Sequence, residues 1–376
     1  MKHMLKIAVS VLVTLAFSTA FATKARTKAL SNSFHITGTQ TIYTSPYHTM
    51  SQDNFVAIES GLTTSTTVDN GAEGSILTNI TPESKLFFSL GHSDESAQSQ
   101  RKFINGLAGV TAYKTQQNPI EFIYGWKDGT TVWSVGANYS NFHNKVSGEK
   151  ESSTGVRAAA SYGDFKWKAN IGLTNSAVNT AGDQLNNNTY ANIGLRYAQK
   201  TLRYGFDVTV WDASQTLNAA TDPNESHSFQ NANFRVTEVN KIEGGEFFYG
   251  ITLDQTNVKN KIADKKFSRL TAPFIMGAEI KATDWLVVRS SIVQTVLVAQ
   301  SKDEAGYPAA ALTGATGVVD AEFAAEGNNT IAAAGVGLMF NKVQLDATLT
   351  GLVGAGANQR IDGANLLSQA SAVYKF

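Results

Sequence analysis

The sequence predicts an all-β fold: a transmembrane antiparallel β-barrel of 16 strands, with 18 as the alternative. Three observations carry that prediction. Runs of about ten residues alternate apolar with small or polar side chains, the period of a strand with one face in lipid and one in water. The connections between runs alternate short and long. The chain closes on a strand-like run, 365–376, in which Leu366, Ala370, Ala372, Tyr374 and Phe376 share one face and Gln369, Ser371 and Lys375 the other. An aromatic last residue on a final strand suits a barrel that closes at a membrane interface.

At the amino end, Lys2 and Lys6 precede an apolar run from Ile7 to Phe17, and Ala20-Phe21-Ala22 has the small-residue pattern of a leader-cleavage site. The expectation is a signal peptide over 1–22 and a single barrel domain over 23–376, with 23–52 the least clearly patterned segment. Export followed by insertion places the protein in the outer membrane of a Gram-negative bacterium. No run of 18 apolar residues follows, so no membrane helix is expected. Cysteine is absent, which excludes disulfides, thiolate metal sites and cysteine nucleophiles.

Strands are expected near 118–126, 130–140, 154–162, 165–174, 189–199, 201–211, 229–239, 245–254, 269–281, 284–298, 330–340, 342–351 and 365–376. In 131–139, for example, Trp133, Val135, Ala137 and Tyr139 oppose Ser134, Gly136 and Asn138. A strand rising about 3.3 Å per residue and tilted about 40° crosses a 25 Å apolar band in roughly ten residues. Short connections, such as 127–129, 163–164 and 199–200, are assigned to the periplasm. Long ones, 141–153, 175–188, 212–228, 255–268, 299–328 and 352–364, are assigned to the cell surface. Before residue 118 the candidates are 34–43, 54–66, 73–80, 84–92 and 105–115. An even strand number with both termini periplasmic requires an odd number of these. Three give 16 and five give 18, and 16 is preferred.

The inward faces place Glu121, Arg157, Lys168, Arg196, Arg203, Asp207, Arg235, Glu246, Asp254, Glu279, Arg289, Lys342 and Asp346 as pore-lining residues. A barrel of this width leaves room for water, and a lumen of mixed charge suits passive diffusion of small hydrophilic solutes and ions. The alternative is that these charges only brace the wall. In the long segment 299–328, Asp320, Glu322 and Glu326 are candidates for a constriction or a subunit contact. On strand 284–298 the polar Ser290 and Gln294 share an outward face with Leu286 and Ile292, which points to an oligomer or lipid contact. Tyr374 and Phe376 close the barrel on the terminal strand, which is also the segment offered to the outer-membrane assembly machinery.

The chemistry of catalysis is missing from the pattern. His3, His35, His48, His92, His143 and His227 are scattered without metal-ligand spacing. His92-Ser93-Asp94 holds triad residue types, but as neighbours on a loop they cannot form a triad. No enzyme activity, metal or cofactor is expected. Lys and Arg total 31, as do Asp and Glu, and losing Lys2 and Lys6 leaves a slight acidic excess. Nucleic acid is therefore not a partner.

The whole mature chain resembles outer-membrane porins. The hairpin 277–294, GAEIKATDWLVVRSSIVQ, looks like the porin-like major outer-membrane proteins of predatory bacteria. The first resemblance implies a solute channel assembled as a trimer. The second implies a larger ring of subunits that encloses lipid, with a structural or lipid-organising role and a plugged or incidental pore.

Overall fold

A computed structural model describes residues 23–61, 72–107, 111–186, 188–218, 225–302, 329–353 and 369–376. Residues 1–22, expected as a leader, most of segment 299–328 with Asp320, Glu322 and Glu326, and the start of the last expected strand lie outside these residues.

Seventeen strands form among the described residues, in the order β1 Phe55–Gly61, β2 Glu73–Thr81, β3 Ser84–Leu90, β4 Ile120–Asp128, β5 Thr131–His143, β6 Lys150–Tyr162, β7 Phe165–Val178, β8 Gln184–Leu185, β9 Tyr190–Gln199, β10 Leu202–Thr216, β11 Glu225–Ile242, β12 Gly245–Asn260, β13 Lys265–Lys281, β14 Leu286–Lys302, β15 Asn329–Phe340, β16 Val343–Val353 and β17 Gln369–Lys375. β8 is a two-residue ladder in the connection from β7 to β9. The other strands make a closed antiparallel barrel of 16, sealed where β1 pairs with β17, Phe55 opposite Lys375 and Glu59 opposite Ser371.

Period-two alternation sets which face each residue takes. Val156, Ile193, Phe206, Phe234, Leu253 and Phe274 are exposed on the outside, while Arg157, Asn192, Asp207 and Asn233 are buried inside. Trp133, Tyr162, Phe165, Tyr197, Phe247, Tyr249, Trp285, Phe340, Tyr374 and Phe376 are exposed beside the short turns. They form the aromatic girdle expected where a barrel meets a membrane interface. The turns need left-handed backbone. Gly163 (φ 55°) and Gly244 (φ 73°) supply it without strain, and Lys200 and Asn341 (both φ 52°) adopt it despite a side chain.

Two strand candidates do not form strands. Within 34–43 and just beyond, Thr39–Thr44 is helical, and of 105–115 the first residue ends a helix and the other described residues, 106–107 and 111–115, join no ladder. Among the described residues three strands precede residue 118, and the closed barrel has 16 strands rather than 18. The hairpins also run longer than expected: β11 has 18 residues and β13 has 17. Ladder hydrogen bonds do not require an apolar face, so pairing continues past the lipid band and shortens the loops to 144–149 and 261–264.

Candidate functional site: a lumen filled by the chain itself

The residues that do not form strands go inside the barrel. Segment 23–54 holds three short helical pieces: α1 Lys24–Ala29, α2 Thr39–Thr44 and the 3-10 turn Pro46–Ser51. It touches the wall nearly all the way round. α1 lies against β14 to β17. Leu30 and Ile36 pack with Val239 and Phe248 of β11 and β12. Ile42 and Tyr43 pack with Phe55, Leu77, Phe87, Ile123 and Val373. The 3-10 turn meets β3 to β7.

Lumen-facing glycines make room for this plug. A side chain at Gly335 would come within 2.6 Å of the Ala29 Cβ, one at Gly125 within 3.1 Å of Thr49, and one at Gly205 within 3.3 Å of Phe34.

A second element enters from the connection between β3 and β4. Helix α3, Glu95–Asn105, is capped by Asp94, which accepts from the Ser96 amide at 2.7 Å. Phe103 packs on Trp211 and His227. The Arg101 guanidinium is fully buried, 3.1 Å from Glu151, and its Nε donates to Asn175 at 2.9 Å. Burial alone would raise the Asp94 carboxyl, but the Arg157 guanidinium and the Ser96 hydrogen bonds outweigh it and hold its pKa below the ordinary value.

The predicted pore-lining charges meet this infill instead of open water. On β13, β14 and β16, Glu279 lies 2.6 Å from Arg26 of the plug and 2.5 Å from Arg289, which reaches Asp346 at 2.6 Å. The Thr23 hydroxyl donates to Asp346 at 2.7 Å. Glu121 holds Arg157 at 2.5 Å, and Arg157 also pairs with Asp94. Glu246 takes Lys241 at 2.5 Å and His35 at 3.3 Å. Asp207 collects three cations: Arg196 at 2.7 Å, with Lys168 and Arg235 each at 3.3 Å. Phe34 lies under the guanidinium groups of Arg196 and Arg235, 5.6 and 5.9 Å from its ring centre. Asp254 accepts from Asn231 at 3.0 Å and Thr256 at 3.2 Å.

Exposure makes the same point, since Glu121 and Arg289 are 1% exposed, Asp207 2% and Asp346 3%. An aqueous channel running past these groups would leave them wet. The expectation that they line open water is corrected for this conformation. The physical reason is that the inward faces were read against an empty cylinder, whereas the chain supplies its own filling. Two further residues depart from the expected wall. Lys342 sits exposed in the turn between β15 and β16. Arg203, near the β9–β10 turn, donates to the backbone oxygens of Lys200 and Leu202 at 2.6 and 3.0 Å. Both stand at the rim.

On the outer surface, Leu286, Ser290, Ile292 and Gln294 share one face of β14. Gln294 accepts from Thr330 of β15, and Ser290 lies opposite Ala334. Tyr374 and Phe376 are exposed at the end that carries the short turns, and the Phe376 amide donates to the Asn54 carbonyl at 3.3 Å.

Pattern reading by period two missed Lys24, Arg26, Phe34, Glu59, Glu73, Asp94 and Arg101. A signal for the first helix is present: in 23–30, TKARTKAL, Ala25 and Ala29 recur at helical spacing after a Thr cap. Among the described residues no group of His, Asp and Glu is placed to hold a metal ion.

No protein-family model matches the chain, and no curated protein matches its sequence. Similar solved structures are outer-membrane proteins. CdiB from Acinetobacter baumannii is 10% identical, with a TM-score of 0.45, over 86% of this chain and 60% of the other, so the chain spans three-fifths of that relative. A bacterial polysaccharide outer membrane secretin is 10% identical (TM-score 0.44) over 86% of this chain and 98% of the other. An outer membrane protein of Vibrio cholerae, OmpT lacking its loop L8, is 11% identical (TM-score 0.43) over 86% and 97%.

Proposed function

We propose that this chain is a porin-like barrel of the outer membrane that is held shut by its own amino-terminal segment and passes small hydrophilic solutes and ions when that segment yields. The observation that carries the reading is the pairing of wall charges with plug residues: Arg26 with Glu279, Lys24 with Glu73 at 3.0 Å, and His35 with Glu246. A barrel of 16 strands is too wide for its own wall side chains to fill. With the plug displaced, those wall charges become the lining of a hydrated path.

The mature chain reaches the membrane after loss of its leader, inserts through its terminal strand with the help of the outer-membrane assembly machinery, and sets its aromatic girdle and apolar band against lipid. Transport is passive and involves no catalysis or cofactor. Single-channel recording in planar bilayers tests this. The full mature chain should be mostly closed, and the chain lacking 24–52 should give stepwise conductance proportional to salt. Silence from a folded, heat-modifiable deletion variant would sink the channel reading.

A second reading is favoured by the polar residues on the outer face of β14 and by its neighbour β15, where Ala332, Ala334 and Val336 face outward. Small residues let a partner approach closely. In that reading the barrel is a trimer or a larger ring that organises lipid, as the resemblance to proteins of predatory bacteria implies. The mass and lipid content of the detergent-purified particle separate the two.

A further inference from the structure

Where α1 docks, four buried or nearly buried carboxylates, Glu59, Glu73, Glu279 and Asp346, come together, and the ion pairs formed there draw on three permanent cations, Lys24, Arg26 and Arg289. His92 adds a titratable partner to Glu73 at 3.0 Å. Glu59 is the odd one out. It is 2% exposed, and the hydrogen bonds it accepts come from neutral donors: the Lys24 amide, the Thr39 hydroxyl at 2.8 Å, the Gln40 amide at 3.1 Å and the Ser371 hydroxyl at 3.1 Å. A buried carboxylate without a cation is costly.

The position next to it is Thr23. Its side chain is held by Asp346, and the next backbone nitrogen along, that of Lys24, is held by Glu59. Successive backbone nitrogens are roughly 3–4 Å apart, so the nitrogen of Thr23 sits one residue before the Glu59 contact and on the residue whose side chain holds Asp346.

We propose that the α-amino group of Thr23, freed by removal of the leader after Ala22, is the missing cation and locks the plug between Glu59 and Asp346. The inference rests on the plugged-barrel reading. In the cleavage step, water adds across the Ala22–Thr23 amide under a leader peptidase. The new carboxylate leaves with the leader, and the nitrogen becomes an ammonium. The same event that releases the chain for export therefore creates the charge that closes its barrel. A chain that keeps its leader has a neutral amide at this point and leaves Glu59 without a cation.

The test uses protein purified from the outer membrane. Sequencing should find Thr23 first. Inserting Gly-Ser after Ala22 moves the ammonium two residues away, and hydrogen exchange across 24–50 should speed up at least tenfold while the barrel stays heat-modifiable. Glu59→Gln removes the demand for a cation, so the same insertion in that background should change exchange several-fold less. A different mature terminus, unchanged exchange in the extended chain, or an equal effect of the insertion in the Glu59→Gln background overturns the proposal. If the insertion blocks assembly, the unmodified protein supplies the second measurement. Plug protection should fall as pH rises and the ammonium deprotonates, and Glu59→Gln should shrink that step; an undiminished step in Glu59→Gln overturns the lock. Hydrogen exchange reads the plug whether or not the barrel conducts, so failure of the lock and failure of the channel reading are told apart.

Discussion

The plug meets two walls of opposite character. On the side of β1, β2 and β13 to β17 the wall presents carboxylates, and the plug answers with Lys24 and Arg26. On the side of β7 to β11 the wall presents Lys168, Arg196 and Arg235 around the single carboxylate of Asp207, and the plug answers with the ring of Phe34. On the acidic side the wall pair Arg289 and Asp346 is dry, with side chains 0% exposed, while the plug's Arg26 is 9% exposed and its Lys24 33%. On the basic side the side chain of Arg196 is 13% exposed and that of Arg235 28%, around a carboxylate that is 2% exposed. Buried ion pairs bind one geometry tightly because breaking one strands a charge. A ring over a guanidinium adds about 0.5–1 kcal/mol and tolerates sliding. The comparison teaches that ion pairs hold the plug on the acidic side and ring contacts hold it on the basic side.

The largest effect should come from breaking the anchor. Arg26→Met takes the plug's guanidinium away from Glu279, and removing one partner of a buried pair costs about 3–5 kcal/mol. The measurement is plug protection by hydrogen exchange, and unchanged protection in a folded barrel would mean that the anchor lies elsewhere.

Acid should act next. Burial, then the nearby charges of Lys166 and Arg196, lower the His48 imidazole from its usual 6.5 to about 3. Because the docked form binds fewer protons than the released form below pH 6.5, docking should weaken as pH falls from there toward 3 and level off below that. By pH 5 the loss is about 2 kcal/mol. Conductance recorded against pH should rise over this window, and His48→Gln should flatten that part of the profile.

On the basic side, Phe34→Ala should loosen the plug by about 1–2 kcal/mol, through two lost ring contacts and some apolar burial. It should raise the frequency of brief openings while leaving the heat stability of the barrel unchanged; an effect as large as that of Arg26→Met would erase the distinction between the two walls.

The smallest change expected is in Arg203→Glu, at the rim. In a conducting barrel it should shift preference from anions toward cations by about twofold or less, since a partly exposed charge is screened by salt. Reversal potentials in a salt gradient measure it, and no shift at all would take Arg203 out of the ion path.

Much of the wall could be read directly from the pattern. The alternation of Trp133, Val135, Ala137 and Tyr139 with Ser134, Gly136 and Asn138 placed β5 and its faces, because lipid and lumen impose a two-residue period on every crossing strand. The register of β14 followed in the same way, with Arg289 inward and Ser290 outward. The infill could not be read so easily. Helix α1 is six residues long and α2 is six, too short for a reliable helical period. Candidate 34–43 also alternates well enough to resemble a strand, and what excludes it is competition for a place in a closed ladder.

The sequence by itself determined a closed wall, its inward and outward faces and the approximate position of each hairpin, since these follow from local alternation and the thickness of an apolar layer. Only the tertiary structure decided the strand number, by sending 23–54 and Glu95–Asn105 into the lumen, and the partners of the lumen charges. Glu279 with Arg26 and Asp94 with Arg157 are 253 and 63 residues apart along the chain. No short-range pattern records such a pairing, because it exists only once a cylinder has formed around the segment that fills it.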